Sequence, residues 1–323
     1  MKADVLSDVL RAVRLTGAVY FDFELSSPWV AEAPPSREIA GKVMPGAQRV
    51  IEYHVIARGA CWGHAIGQEP IRLREGDLIV FPQGDAHVLS SAPGMRAAPD
   101  MSVFARPSTP LPLVYELGGG GPERARVVCG FLGCDERPYN PLLTALPAVI
   151  HLSAAGPHAA HGTTGWLGTL LSIAVGESGS ARAGSENVLA RLSELMFVEA
   201  IRRYLETLPP TQTGWLAGLR DTSVGQALAA LHGEPSQPWT VEGLARLVGL
   251  SRSVFAERFT EMVGQPPMQY LALWRMQLAS QLLVEGGQVA AVASAVGYES
   301  EAAFSRAFKK LVGQAPATWR RGN

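Results

Sequence analysis

"VGQPPMQYL" occupies residues 263–271 and "VGQAPATWR" occupies 312–320, so two segments close on nearly the same phrase 49 positions apart. The echo extends upstream. When "LARLVGLSRSVFAERFTEMVGQPP" (244–267) is set beneath "VASAVGYESEAAFSRAFKKLVGQAP" (292–316), Ala245 meets Ala293, Gly249 meets Gly297, Phe255 meets Phe304 and Phe259 meets Phe308. The second copy has one extra residue in its turn. One supersecondary unit is used twice.

Each copy has the grammar of a helix-turn-helix. A small residue mid-face, Ala245 or Ala293, lets a second helix cross closely, and Gly249 or Gly297 supplies a positive φ in the turn. Ser251 or Ser300 can cap the next helix. The phenylalanines stand four apart and fall on one face, anchoring that helix to a core. The opposite face is then free, carrying Arg252, Ser253 and Glu257 in the first copy and Ser305, Arg306 and Lys309 in the second. A second helix held this way is the element that enters the DNA major groove. Between the copies, "MQYLALWRMQLASQLL" sets Leu271, Trp274, Leu278 and Leu282 on one stripe. This predicts a rigid helix holding two reading heads about one turn of DNA, roughly 34 Å, apart.

Residues 219–323 resemble the DNA-binding domain of the AraC/XylS family of bacterial transcription regulators, on "WTVEGLARLVGLSRSVFAERF", "YLALWRMQLASQLL" and "AVGYESEAAFSRAFKKLVGQAPATWRR". The resemblance implies two helix-turn-helix motifs, at about 240–260 and 288–310, in successive major-groove segments. It implies contacts to double-stranded DNA from Arg252, Ser253, Glu257, Ser305, Arg306 and Lys309, with Arg275 on the connecting helix as a weaker candidate.

The N-terminal half reads differently. "AVYFDFEL", "RVIEYHVIA", "DLIVFP" and "RARVVCGF" are short, β-branched or aromatic, and punctuated by Gly, Pro and Asp, which predicts strands of a sandwich or barrel. "GDLIVFPQGDAH" (76–87) fits G-x5-P-x-G-x2-H and resembles the second motif of cupins, a pattern that directs His87 into a small barrel. The first cupin motif is degraded: Glu52 and Gly59 remain, but no histidine precedes Glu52. On a strand Glu52 and His54 share a face, so His54 could point inward instead. His54, His87, Cys129 and Cys134 would make a tetrahedral zinc set, closed by four ligands. Two other readings stay open: Cys129 and His54 as core residues, or Cys129 and an exposed Cys134 as a thiol redox pair. Cys61 reads as core. His151, His158 and His161, in a Gly/Ala-rich stretch, read as solvated.

From about residue 140 the pattern turns helical, and "SENVLARLSELMFVEAIRRYLETL" carries a wide apolar stripe through Leu192, Leu195, Met196, Ile201, Leu205 and Leu208. That stripe predicts a homodimer, or equally a face buried in the sensor. "PPTQTG" (209–214) breaks the pattern. The expected fold class is α+β. A cupin-like sensor barrel (1–139) and a helical linker or dimerisation region (140–214) precede an all-α domain of two helix-turn-helix units (215–323). This layout resembles AraC-type regulators with a degenerate cupin sensor.

The 323 residues carry a formal net charge of −1, so no bulk charge advertises nucleic acid or membrane. Residues 219–323 hold ten Lys/Arg against eight Asp/Glu, a weak +2. There is no signal peptide and no run near the roughly 18 apolar residues of a membrane span. Three cysteines fit a reducing cytoplasm. The reading is a cytoplasmic DNA-binding regulator whose barrel senses a small molecule, metal or redox signal, with RNA polymerase as a further partner. The alternative is a cupin-type metal oxygenase or isomerase with an appended DNA-binding domain.

Overall fold

The computed structural model describes residues 4–104, 111–135, 138–153, 164–178, 182–209 and 211–322. The chain forms two compact units: Leu15–Cys134 with Leu146–Thr207, and Met1–Arg14 with Asp135–Ala145 and Leu208–Asn323.

The first unit holds β1 (Thr16–Ser26), β2 (Val30–Ala33), β3 (Arg49–Arg58), β4 (Ala60–Ala65), β5 (Ile71–Arg74), β6 (Leu78–Phe81), β7 (His87–Ser90), β8 (Leu113–Gly118), β9 (Arg124–Cys134) and β10 (Ile150–Leu152). These form two sheets, ordered β10-β6-β3-β9-β1-β8 and β2-β7-β4-β5, rather than one closed barrel. Period-two alternation explains the layering. On β1, Phe21, Phe23 and Leu25 face the interior, while Asp22 turns the other way to a bidentate bond with Arg126 on β9 (2.9 and 2.6 Å).

Most of the stretch expected as a helical linker or dimerisation region, Leu146–Thr207, clusters with the sheets. β10 pairs with β6, and two helices, α4 (Thr164–Ser178) and α5 (Ser185–Thr207), complete the unit. The crossing of α5 over β1 is close enough that a Cβ on Gly17 would lie 2.4 Å from the Ala190 carbonyl. Leu192, Met196 and Ile201 are buried in this unit, which takes up most of the apolar stripe. Val188 and Leu195, seven residues apart, stay exposed. A short helix, α2 (Ala40–Val43), lies between β2 and β3. His151, expected in solvent, sits on β10 with its Nε2 3.1 Å from Asp77. His158 and His161 lie outside the described residues.

The second unit is helical, with α6 (Trp215–Arg220), α7 (Thr222–Gly233), α8 (Val241–Leu247), α9 (Arg252–Val263), α10 (Pro267–Val284), α11 (Val289–Ala295), α12 (Glu301–Val312) and α13 (Pro316–Gly322). Ser251 accepts from the Val254 amide and Ser300 from the Ala303 amide, as the repeat predicts. Gly249 (φ 72°) and Gly297 (φ 82°) make the inner turns. Phe255, Phe259, Phe304 and Phe308 are fully buried. The repeated phrase is thus a helix stop followed by a helix start. Gly264 and Gly313 cap α9 and α12 in the left-handed region, and Pro267 and Pro316 open the next helix.

Two further segments cluster with this unit: α1 (Val5–Ala12), expected with the sensor, and residues 135–145 with α3 (Pro141–Ala145), which span the expected boundary of sensor and linker. Their tie is Gln277 on α10. Its amide donates to the Ala12 carbonyl (2.7 Å) and accepts from the Tyr139 amide (3.0 Å), so a fully buried polar side chain is satisfied at both ends. Arg14 and Asp135 add a bidentate bond at 2.6 and 2.9 Å.

Candidate functional site

In the helical unit the aromatic anchors turn the outer faces of α9 and α12 to solvent. Arg252, Ser253 and Glu257 are exposed on α9, and Arg306 and Lys309 on α12, with Ser305 half-buried beside them. Arg252 reaches Glu242 at 2.6 Å, but their side chains are 70 % and 53 % exposed, so the pair is weak and leaves the guanidinium available. Arg306 and Lys309 form no ion pair among the described residues. Arg275, the weaker candidate, is held by its own unit. Its Nε donates to the Pro235 carbonyl (2.7 Å) and its Nη2 to the Gln237 carbonyl (2.9 Å), and it lies over the Tyr298 ring. Burial lowers its pKa. It is a structural tie to the loop after α7, a long-range contact that helical spacing does not reveal. Val254, 50 % exposed on the first turn of α9, escaped sequence reasoning because apolar residues are read as core.

In the sheet unit, β3 and β7 bring Glu52, His54 and His87 together, one donor atom of each lying within 4.8 Å of the others. All three are buried. His87 stacks on Phe81 (3.8 Å) and its Nδ1 bonds the Asp85 carbonyl at 3.0 Å. The Nδ1–H donates there, which leaves the His87 Nε2 lone pair to accept from the His54 Nε2–H at 2.7 Å. His54 Nδ1 and Glu52 Oε1 are then buried without a hydrogen-bond partner. Burial sets the charges: the Glu52 carboxyl is pushed up to about 8, His87 falls to about 4, and His54 lies well below its ordinary value.

The expected zinc set is corrected. Cys134 is five residues from Cys129 on β9, an odd spacing that puts it on the opposite face and about 16 Å along the strand. Cys129 opposes His54 in register and lines the cavity but is not part of the donor cluster; Glu52 is. The redox pair fails on the same geometry. A disulfide needs Cα atoms within about 7 Å, Cys134 is buried, and burial raises the Cys129 thiol far from the thiolate form. Cys61 is core, as expected. The orphaned atoms of Glu52 and His54 make a two-histidine, one-carboxylate set that fits a divalent metal with positions left open, not a closed structural site. Two imidazoles on one zinc stand about 3.4 Å apart, so the 2.7 Å pair is a hydrogen bond that must open to admit an ion.

These three residues also line a cavity of about 410 Å³. Its walls are aromatic: Phe21, Phe23, Trp29, Phe104, Tyr115 and Phe131. Phe23 and Tyr115 stack at 5.6 Å, and Phe21 meets Phe104 edge-on at 5.7 Å.

With this geometry in place, comparison with known proteins is direct. Residues 4–206 match the cupin family model Cupin_6, and residues 244–322 match the helix-turn-helix domain model HTH_18. An AraC-like transcription regulator of Streptomyces lividans is 35% identical over 85% of this chain and 88% of its own length. The chain belongs to the AraC-like transcription regulators. A second such regulator, from Streptomyces antibioticus, is also 35% identical over 85% of this chain and 88% of that protein. The regulator AlkR of Acinetobacter baylyi is 31% identical over 83% and 90%. These likenesses run through both units, and the chain is a DNA-binding transcriptional regulator. Among the described residues, no helix is long and apolar enough to cross a membrane.

Proposed function

We propose that this regulator is a cytoplasmic sensor that binds a small molecule in the aromatic cavity of its sheet unit and thereby changes its affinity for double-stranded DNA. The carrying observation is the cavity itself, a walled space whose only buried polar corner, among the described residues, is Glu52, His54 and His87. Ligand control requires different affinities for two states of the protein. DNA contact is assigned to Arg252, Ser253 and Glu257 on α9 and to Ser305, Arg306 and Lys309 on α12. Fluorescence anisotropy with the chain's own upstream DNA tests this. The expected result is affinity that falls steeply with salt and shifts when cell extract containing the effector is added. DNA binding that no extract alters would remove the sensor reading.

A second reading is supported by the donor set. Glu52, His54 and His87 are the residues that would hold zinc, and the ion would supply a positive centre at the cavity floor. Metal analysis of the purified chain and of Glu52→Gln checks it. A homodimer is proposed on the exposed Val188 and Leu195 of α5 and Ile173 of α4. Light scattering is expected to show a dimer that Leu195→Glu converts to monomer. RNA polymerase is proposed as the further partner that the reader serves once on DNA.

A further inference from the structure

We propose that the cavity of the sheet unit selects an organic cation: a mono- or bicyclic aromatic amine whose protonated ammonium N–H groups face Glu52. This rests on the reading of the cavity as the signal site and names the chemical class of the signal.

Three observations converge. The first is charge. Among the described lining residues Glu32, Glu52, Asp100 and Glu116 are acidic, and none is a lysine or arginine. Arg96 answers only Glu32, at 2.7 and 2.8 Å, and Asp100 bonds only the nearby Ser102. An anion would find no cationic side chain in the lining to answer it. The second is the unpartnered carboxylate. Glu52 is 2 % exposed, lines the cavity, and leaves Oε1 without a hydrogen bond. A buried carboxyl oxygen of this kind is completed by an N–H donor, which an ammonium group supplies. The third is the walls. Phe23, Trp29 and Tyr115 line the same space, and aromatic rings attract cations electrostatically. A sugar or a zwitterion would need polar partners on several sides, and the described walls offer them at one corner.

The test is calorimetry on the full chain without DNA, using benzylammonium, benzyl alcohol and benzoate as probes. The expected order is cation first, benzyl alcohol at least about tenfold weaker, and benzoate without measurable heat. Glu52→Gln keeps the shape and is expected to weaken the cation about tenfold or more. Tyr115→Leu, at a half-buried position that tolerates change, is expected to weaken the cation several-fold while leaving benzyl alcohol nearly unchanged. Zinc competes for the same carboxylate, so zinc-loaded protein is expected to lose cation affinity. Benzoate or benzyl alcohol binding as tightly as the cation overturns the proposal. So does cation affinity that survives both substitutions, or zinc binding with no heat from any organic probe. Because binding is read without DNA, a cation that binds but leaves DNA affinity unchanged supports the ligand class and removes only its role as signal.

Discussion

In the first copy of the repeat, Phe255 and Phe259 pack in a core that also buries His232, Tyr270 and Trp274; in the second, Phe304 and Phe308 pack with Met276, Leu283 and Trp319. The first core is threaded by a polar chain. Trp215 donates to the Tyr270 hydroxyl (2.9 Å), which bonds His232 at 2.7 Å, and His232 stacks on Trp274. The second core has a single indole, bonded to the Ser280 carbonyl at 3.3 Å. The outer faces diverge as well. On α9, Arg252 and Arg258 are answered by Glu242 and Asp221, and Glu257 and Glu261 are exposed. On α12, Arg306, Lys309 and Lys310 stand exposed against Glu301. A scaffold was duplicated, while its polar interior and its surface charge were each set separately.

Four measurements would break or sharpen that contrast. The largest effect is expected from Phe255→Ala and Phe304→Ala, each costing about 3–5 kcal/mol because a fully buried ring leaves a cavity. Thermal denaturation should show near-equal losses if the anchors are equivalent. Next, Arg306→Ala is expected to cost about 1–3 kcal/mol of DNA affinity, and Lys309→Ala to lower the salt slope by about one. Arg252→Ala should do less, since its face carries compensating acids; equal losses would show that the two faces share the load.

The third concerns acid. Burial lowers the His232 pKa to about 3, against an ordinary value near 6.5. Above pH 6.5 both states are neutral and stability is complete. Below it the unfolded chain takes up a proton that the folded chain refuses, so stability falls until about pH 3, by about 2 kcal/mol at pH 5. The first half of the reader should therefore melt in acid before the second, as histidine-specific hydrogen exchange or tryptophan fluorescence would report. The smallest effect is expected from Glu242→Ala: no more than about 1 kcal/mol of stability, since its pair with Arg252 is exposed.

The reader was legible because its signals are local. Paired phenylalanines, turn glycines and serine caps recur at fixed spacing, and each constrains a few neighbouring residues. The sensor site was half legible. The i, i+2 rule placed Glu52 and His54 on one face, and the same rule applied to Cys129 and Cys134 separates them, since an odd interval reverses the face. What spacing could not carry was contact across the chain. Arg275 looks like a free cation on a helix until the Pro235 and Gln237 carbonyls are seen around it. The boundary near residue 139 reads as the end of a sensor until Gln277 is seen gripping both Ala12 and Tyr139.

That grip determines how the molecule can be dissected. A fragment begun after the 209–214 break would strip α10 of α1 and strand a buried amide in water, together with the apolar surface that Val9 and Ala12 cover. The helical unit is assembled from three separate pieces of chain, so an autonomous version of it calls for grafting residues 4–14 and 135–145 back on, rather than a single cut.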